Sequence, residues 1–586
     1  MDNNTGTVRE QFEQEAAALK QIIYEFIDSG HIIMAAQVFE QYIALNPDDP
    51  DIAEIKNVLY PNGTESHVDA IPEEFKILNN IETIFILSGI ITKRTGYIDS
   101  VLRKMKLMEE KWNYKPLLLT CIHNIDQRKA QIWLNTAGIG QVTLGTETRV
   151  LNVYEYFQKS YTDGLENKAI YSPDDDYQTI SNNVPGVETK EYYTGYMGSL
   201  RMVRYFKDGN ADKDMVYDDW GYLNYIREYS PISEDIFDIK YFTTDGKLCI
   251  EAFFRPTRMG AEHEKLLVYD NNGKVTAECK NSAELAAICL DRLITDEKFY
   301  MLVVEDGLMS AAVTTIEESK KNVARCAVVH SIFLNDAYKP ESGAQKFYKH
   351  LCENNKKFDG IVMLTGESRD DFQKIYGDKN NVFVIPHPYP YEIIKSDFMK
   401  RDPLKAVVVA RLDPYKQIDL TVEIFSLVVN ALPEAKLEIY GRGMEEENIR
   451  KQIRRLGLEK NVYLMGYTDE PLAIFNNAVL SVFTSKAEGY GLTIMESICN
   501  GCPVFAFDIK YGPSEIIDDG KTGFLFPRFE VKQFALKVVE YLNNESLQKN
   551  MIMNCYKASG RFNTGEFLNS WFEMTKSLYE KNCETL

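Results

Sequence analysis

Short runs of β-branched and other apolar residues recur along this chain, each followed by a loop bearing glycine or charge and then by a helical stretch, in two separate series. The first opens with ETIFILSG, the loop TKRTGY, the helical stretch IDSVLRKMKLMEEKW and the run PLLLTCI. It resumes much later with FYMLVVEDG, ARCAVVHSIF, DGIVMLTG and NVFVIPHP. The second runs KAVVVARLDPYKQIDLTVEIF, AKLEIYGRG, NVYLMGYTD, AVLSVFTS and GCPVFAFD. Strands apolar on both faces must be covered on both faces, and strand–helix alternation does this with a parallel, doubly wound sheet. The pattern therefore predicts an α/β protein with two Rossmann-like domains. A length of 586 residues, more than one core usually supports, agrees with that division.

Other segments interrupt the alternation. Residues 1–72 read as a short helical extension, in which HIIMAAQVFEQYIALNPDDPDIAEIKNVLY resembles one tetratricopeptide-type helix pair. A single pair is too short for a solenoid, so docking on the main body or on a partner is expected of it. Residues 73–160 hold the first part of the N-terminal Rossmann-like domain, and residues 161–281 read as an antiparallel β insertion. Asp208-Gly209, Asp245-Gly246 and Asn272-Gly273 are hairpin signals within it. The N-terminal domain resumes over 282–395, and 396–586 form the C-terminal domain, whose last helices, from about residue 531, cross back to the first. The proline-rich stretch 385–405 reads as the linker between the domains.

Composition excludes several classes. A formal charge of −21 argues against nonspecific nucleic-acid binding, and the basic run Arg450, Lys451, Arg454 and Arg455 reads as a solvated helix face. TIFILSGII is too short to span a membrane. The start MDNNTGTVREQFEQE lacks the order of a secretory signal, which makes the cytoplasm the expectation. Ten cysteines, with a single CxxC pair at Cys499 and Cys502 and no second pair at zinc-ligand spacing, and seven histidines offer no metal cage.

The sharpest motif is SKAEGYGLTIMESICNGCPVFAFD. Glu488 and Glu496 are separated by seven residues, with a turn of Gly489, Tyr490 and Gly491 between a strand and a helix that starts at about Leu492 and Thr493. Such a turn aims backbone N–H groups and a positive helix end at a diphosphate, and the two carboxylates can accept hydroxyls of a ribose and of a second sugar. In ARLDPYKQIDL, Arg411 and Lys416 are two cations at a strand end, suited to neutralising a pyrophosphate leaving group. Asp174 with Asp176 and Asp212 with Asp214 have DxD spacing but fall in the polar insertion. They are taken as solvated, and no metal is expected.

The order of these motifs over about residues 405–527 resembles the retaining GT-B glycosyltransferases. The insertion, VVHSIFL and TKRTGY extend the resemblance to the bacterial poly(ribitol-phosphate) and poly(glycerol-phosphate) α-glycosyltransferases, and equally to the O-GlcNAc transferases of serine-rich adhesins in accessory-secretion loci. The resemblance implies two facing Rossmann-like domains and a UDP-sugar, UDP-GlcNAc or UDP-glucose, as co-substrate without further cofactor. It implies transfer with retention to teichoic acid or to Ser/Thr of a surface protein. By the same resemblance His330 sits over the donor sugar and Gly96 belongs to the loop closing on the phosphates, although TGY departs from the paired glycines of many relatives. The insertion would mediate a homo-oligomer or a hetero-complex, and peripheral membrane association is compatible with such acceptors. The acidic balance and the helical extension lean towards a polypeptide acceptor. A catalytically silent, acceptor-binding partner subunit is the alternative, opposed by the joint presence of Glu488, Glu496, Arg411 and Lys416. An epimerase of related fold would lack the long insertion.

Overall fold

The computed structural model describes residues 71–89, 96–123 and 149–158 and most of 178–583, together with isolated positions between 20 and 55. The tetratricopeptide-like reading, the loop residues 90–95 and the pair Asp174 and Asp176 lie outside the described residues. Two compact units divide the chain: Met1–Glu73, Leu87–Arg94 and Trp112–Thr295 form one, and Glu74–Ile86, Thr95–Lys111 and Asp296–Leu586 the other.

Strand β1 (Ile81–Leu87) and helix α1 (Gly96–Trp112) begin the larger unit. The smaller unit holds the parallel pair β2 (Leu117–Thr120) and β3 (Arg149–Asn152), followed by an antiparallel meander. Its strands are β4 (Gln178–Val184), β5 (Val187–Tyr193), β6 (Leu200–Lys207), β7 (Asn210–Tyr217), β8 (Leu223–Tyr229), β9 (Ile236–Phe242), β10 (Leu248–Thr257), β11 (Gly260–Tyr269) and β12 (Val275–Cys279), each paired with its sequence neighbours. Gly246 and Gly273 take φ of 78° and 77° at the β9–β10 and β11–β12 turns, as hairpins of this type require. Helix α2 (Ser282–Leu293), capped by Asn281, closes the unit.

One expectation is corrected here. Asp214 is fully buried rather than solvated, because strand register sets Arg204, Asp214 and Arg227 opposite one another on β6, β7 and β8. Arg204 binds its carboxylate through two nitrogens at 2.7 and 2.9 Å, and the Tyr229 hydroxyl donates to it at 2.6 Å. The spacing that suggested a metal-type motif belongs to a strand, not a loop.

In the larger unit β1 pairs in parallel with β13 (Phe299–Val304), and β14 (Val323–Val329), β15 (Gly360–Met363) and β16 (Val382–Val384) follow outwards. Every residue of β13 and β14 is buried, which explains their largely apolar sequence; the one charged residue, Arg325 of β14, donates its guanidinium to the Ile316 and Glu317 carbonyls. Helix α3 (Gly366–Tyr376) follows β15. The second series gives β17 (Lys405–Val409), helix α4 (Ile418–Ala431), β18 (Lys436–Tyr440), β19 (Val462–Gly466), β20 (Leu480–Phe483), helix α5 (Leu492–Cys499), β21 (Val504–Phe507) and β22 (Gly523–Phe526). They form a six-stranded parallel sheet in the order β19-β18-β17-β20-β21-β22, the order of a dinucleotide-binding fold. Helix α4 buries Ile418, Thr421, Val422, Ile424, Phe425 and Val428, the stripe that its 3.6-residue period dictates.

Helices α6 (Val531–Leu542), α7 (Glu545–Ala558) and α8 (Thr564–Cys583) end the chain. Helix α8 returns to the first series: Trp571 meets Phe85 edge-on at 6.2 Å, Tyr579 meets Phe299 at 5.3 Å, and the Thr575 hydroxyl donates to the Met301 sulfur. Buried apolar side chains such as Phe567 and Leu578 each contribute about 1.5–3 kcal/mol to that return. Among the described residues no helix is long and apolar enough to cross a membrane.

Candidate functional site

Strands β17 and β20 are neighbours at the point where the sheet order reverses. Their following loops leave in opposite directions and open a crevice at the carboxyl ends, where ligands of such sheets bind. In the loop after β17, the Asp413 carboxylate accepts the amides of Tyr415 at 3.0 Å and Lys416 at 3.3 Å, a local turn typical of aspartate. Gln417 takes a left-handed φ of 47° and α4 begins. From the β20 side, the Lys486 amide donates to the Tyr415 carbonyl at 2.7 Å, and the Thr484 hydroxyl reaches the Gln417 carbonyl at 2.9 Å. The two loops, so stitched, place Lys416 Nζ 2.6 Å from Glu488 Oε1, with side chains 19% and 15% exposed. Arg411 leaves the same turn differently: its side chain is 80% exposed, with its guanidinium 3.0 Å from Asp413.

The glycine turn follows. A Cβ on Gly489 would collide with the His330 carbonyl, so only glycine allows this approach, and Gly491 caps α5 with φ of 103°. The first N–H groups of a helix have no partner within it, which leaves those at Leu492 and Thr493 to the crevice. Glu496, half-buried on the next turn of α5, lines a cavity with Leu492, Arg103, Lys104, His387 and Tyr391. Gly96 is the first residue of α1, the helix that supplies Arg103 and Lys104 to this cavity.

His330 stands at the end of β14. Its Nε2 lies 2.8 Å from Glu305 Oε2 and its ring is 9% exposed, while its backbone N–H donates to the Tyr348 hydroxyl at 3.0 Å. The imidazole is therefore buried against Glu305, and it is the His330 carbonyl that meets Gly489. The other Glu305 oxygen pairs with Lys104, whose ammonium lies over the rings of Phe85 at 4.5 Å and Trp571 at 4.1 Å. Burial pushes the Glu305 carboxyl up, but the Lys104 charge and the His330 hydrogen bond outweigh it and hold it at about 2. His387 stacks on His330 at 5.5 Å and meets Tyr490 edge-on at 5.9 Å. Burial, then the neighbouring charges of His330 and Lys104, hold its imidazole well below the ordinary histidine range.

Lys416 is thus paired with Glu488, Gly489 abuts the His330 carbonyl and Glu496 lines the cavity, whereas Arg411 stands in solvent. Sequence reasoning missed Lys104, Glu305 and His387. An acid directly at a strand end, in VVEDG, was the available signal for Glu305. His387 was hidden in the stretch read as linker. That stretch is built into the fold: Ile385, Tyr389 and Arg401 are buried, and His387, Pro388 and Tyr389 line the cavity. Among the described residues no cluster of His, Cys, Asp or Glu could hold a metal ion.

Residues 391–558 match the family model described as "Glycosyl transferases group 1". The chain is 23% identical over 543 residues to the poly(glycerol-phosphate) alpha-glucosyltransferase of Bacillus subtilis (strain 168), covering 89% of this chain and 78% of that one. It is 28% identical over 451 residues to the poly(ribitol-phosphate) alpha-N-acetylglucosaminyltransferase of Staphylococcus aureus (strain COL), covering 75% and 89%. The structure of the pneumococcal O-GlcNAc transferase GtfA in complex with UDP and GlcNAc superposes with a TM-score of 0.65 at 18% identity, over 85% of this chain and 99% of that one. The fold is that of the GT-B glycosyltransferases, with an antiparallel insertion in the N-terminal part.

Proposed function

We propose that this glycosyltransferase moves a glucosyl or N-acetylglucosaminyl group from a UDP-sugar to a hydroxyl of a polyol-phosphate polymer of the teichoic acid kind, with retention and without a metal ion. The observation that carries the reading is the Lys416–Glu488 pair, 2.6 Å apart at the switch point of the C-terminal sheet and followed directly by the glycine turn that abuts His330. A diphosphate in this crevice would take the α5 N–H groups of Leu492 and Thr493, the Lys416 ammonium and, swung in from solvent, the Arg411 guanidinium. Glu488 would hold Lys416 in place and accept a hydroxyl of the transferred sugar, and Glu496 would accept the ribose hydroxyls. The acceptor hydroxyl attacks the anomeric carbon on the face that the diphosphate leaves. The bond from that carbon to the phosphate oxygen breaks, and the leaving oxygen takes the acceptor's proton. Fixed charges meeting the developing negative charge make a metal unnecessary.

The relatives aligned over three quarters or more of this chain act on polyol-phosphate polymers by name, and this outweighs the lean towards a polypeptide that the acidic balance suggests. Radiolabelled UDP-glucose and UDP-GlcNAc, each offered with poly(glycerol-phosphate), poly(ribitol-phosphate) and a Ser/Thr-rich peptide, test the reading. Label in a polymer is expected. Label in the peptide alone would transfer the reading to a protein acceptor, and no label from any UDP-sugar would overturn it. The proposal includes assembly through the β insertion, where Phe237 on β9 is 42% exposed. Light scattering on the full chain and on a chain with residues 200–280 replaced by a linker tests this, and a full chain monomeric at tens of micromolar would refute self-assembly.

A further inference from the structure

Residues 508–515, after β21, touch the crevice on one side and α3 on the other. On the crevice side the Glu488 amide donates to the Lys510 carbonyl at 3.2 Å, and the Tyr511 amide donates back to the Glu488 carbonyl at 3.2 Å. The residue that carries the crevice carboxylate is thereby bracketed by its backbone. On the other side the Glu515 carboxylate accepts the amides of Gly366 and Glu367, one on each oxygen, both at 2.9 Å. These are the first two amides of the 11-residue helix α3, and its N-cap Thr365 accepts a different one, that of Ser368. A carboxylate at this end also meets the positive pole of the helix. Lys510 adds an ion pair to Asp371 at 2.5 Å and approaches Glu367 at 3.6 Å, and the Tyr511 hydroxyl donates to Asp371 at 3.1 Å. One eight-residue stretch therefore grips α3 of the first Rossmann-like domain with two charged side chains while its backbone holds Glu488 of the second.

We propose that Lys510 and Glu515 are positioning residues: they form a strut that keeps Glu488, and through it Lys416, in place only while α3 is gripped. The inference rests on the reading of Glu488 and Lys416 as the donor site. Neither side chain touches Glu488, so their loss acts on turnover more than on donor binding.

The test uses the full chain with Lys510→Met, Glu515→Gln and both together. The double variant is expected to lose about tenfold or more in kcat while KM for the UDP-sugar stays within about threefold, and Lys510→Arg is expected to retain most of kcat. Amide exchange should quicken at Gly366 and Glu367 and also at Glu488 and Tyr511. Quickening confined to Gly366 and Glu367, or a double variant with wild-type kcat, overturns the strut and leaves Glu515 a local helix cap. If the double variant does not fold, the single variants decide by the same readouts. A wild-type chain that transfers no sugar defeats the donor-site reading separately, and the coupled exchange then decides the strut by itself.

Discussion

Replacing Lys416 by methionine keeps the length of its stem and removes one charge, and the consequence can be worked from the pair it leaves. The ammonium sits 2.6 Å from Glu488 with both side chains less than a fifth exposed, so it is held in place before any donor arrives. A fixed donor facing charge that develops in the transition state is worth about 2.7–4 kcal/mol, or roughly 10²–10³ in kcat. The fold should lose far less, about 1 kcal/mol, because the pair is still partly hydrated. Arg411, with 80% of its side chain in solvent, must be ordered when the donor binds, and Arg411→Ala is expected to cost only about tenfold. Glu488→Gln should match Lys416→Met, and the double variant should be well short of the product of the two, since coupled neighbours are not additive. Initial rates of UDP release at saturating donor, beside calorimetric UDP binding, measure these effects. A folded Lys416→Met within twofold of wild type, or an Arg411→Ala variant more damaged than Lys416→Met, would refute the reasoning.

Activity is expected to persist in excess EDTA, and a loss restored only by Mn²⁺ or Mg²⁺ would locate a metal site among the acidic groups. Because the His387 pKa is depressed in the folded chain, its contribution to stability is complete above the unfolded value of about 6.5 and declines as pH falls below it. Denaturation at pH 5.5 should show less stability than at pH 7.5 from this group, and His387→Phe should flatten that part of the slope. The buried Arg401 guanidinium donates to the carbonyls of Ala478 at 2.6 Å, Gly501 at 2.8 Å and Asn500 at 3.0 Å and to the Tyr556 hydroxyl at 3.0 Å. Arg401→Met strands those acceptors and should cost about 3–5 kcal/mol by calorimetry; an unchanged melting temperature would contradict that accounting.

Much of the fold was legible because parallel strands buried on both faces cannot alternate. The wholly buried β13 and β21 are therefore unbroken apolar runs, and β14 and β20 are interrupted only by Arg325 and Ser481, while the turns at Gly246 and Gly273 carry the residues that positive φ demands. The glycine turn was legible because Gly489 and Gly491 stand where a close approach and a positive φ demand glycine. What escaped was assembled by long-range contact. Lys104 and Glu305 are 201 residues apart and meet only through sheet packing. His387 lies in a proline-rich stretch whose composition says linker, although Ile385, Tyr389 and Arg401 of that stretch are buried and His387 lines the cavity. Asp214 misled because alternation along a strand reproduces the spacing of a metal-binding loop, and only the cross-strand register with Arg204 and Arg227 distinguishes them.

The central claim, that the crevice at Lys416 and Glu488 performs sugar transfer from a UDP-sugar, is tested most directly by one paired measurement. Wild type and Glu488→Gln are given the same UDP-sugar and polyol-phosphate acceptor, and UDP released is compared with sugar incorporated. Matched release and incorporation are expected of wild type, and a rate lower by about 10²-fold or more of Glu488→Gln with UDP still bound. UDP release by wild type that is independent of acceptor, or a Glu488→Gln variant as fast as wild type, would contradict that claim.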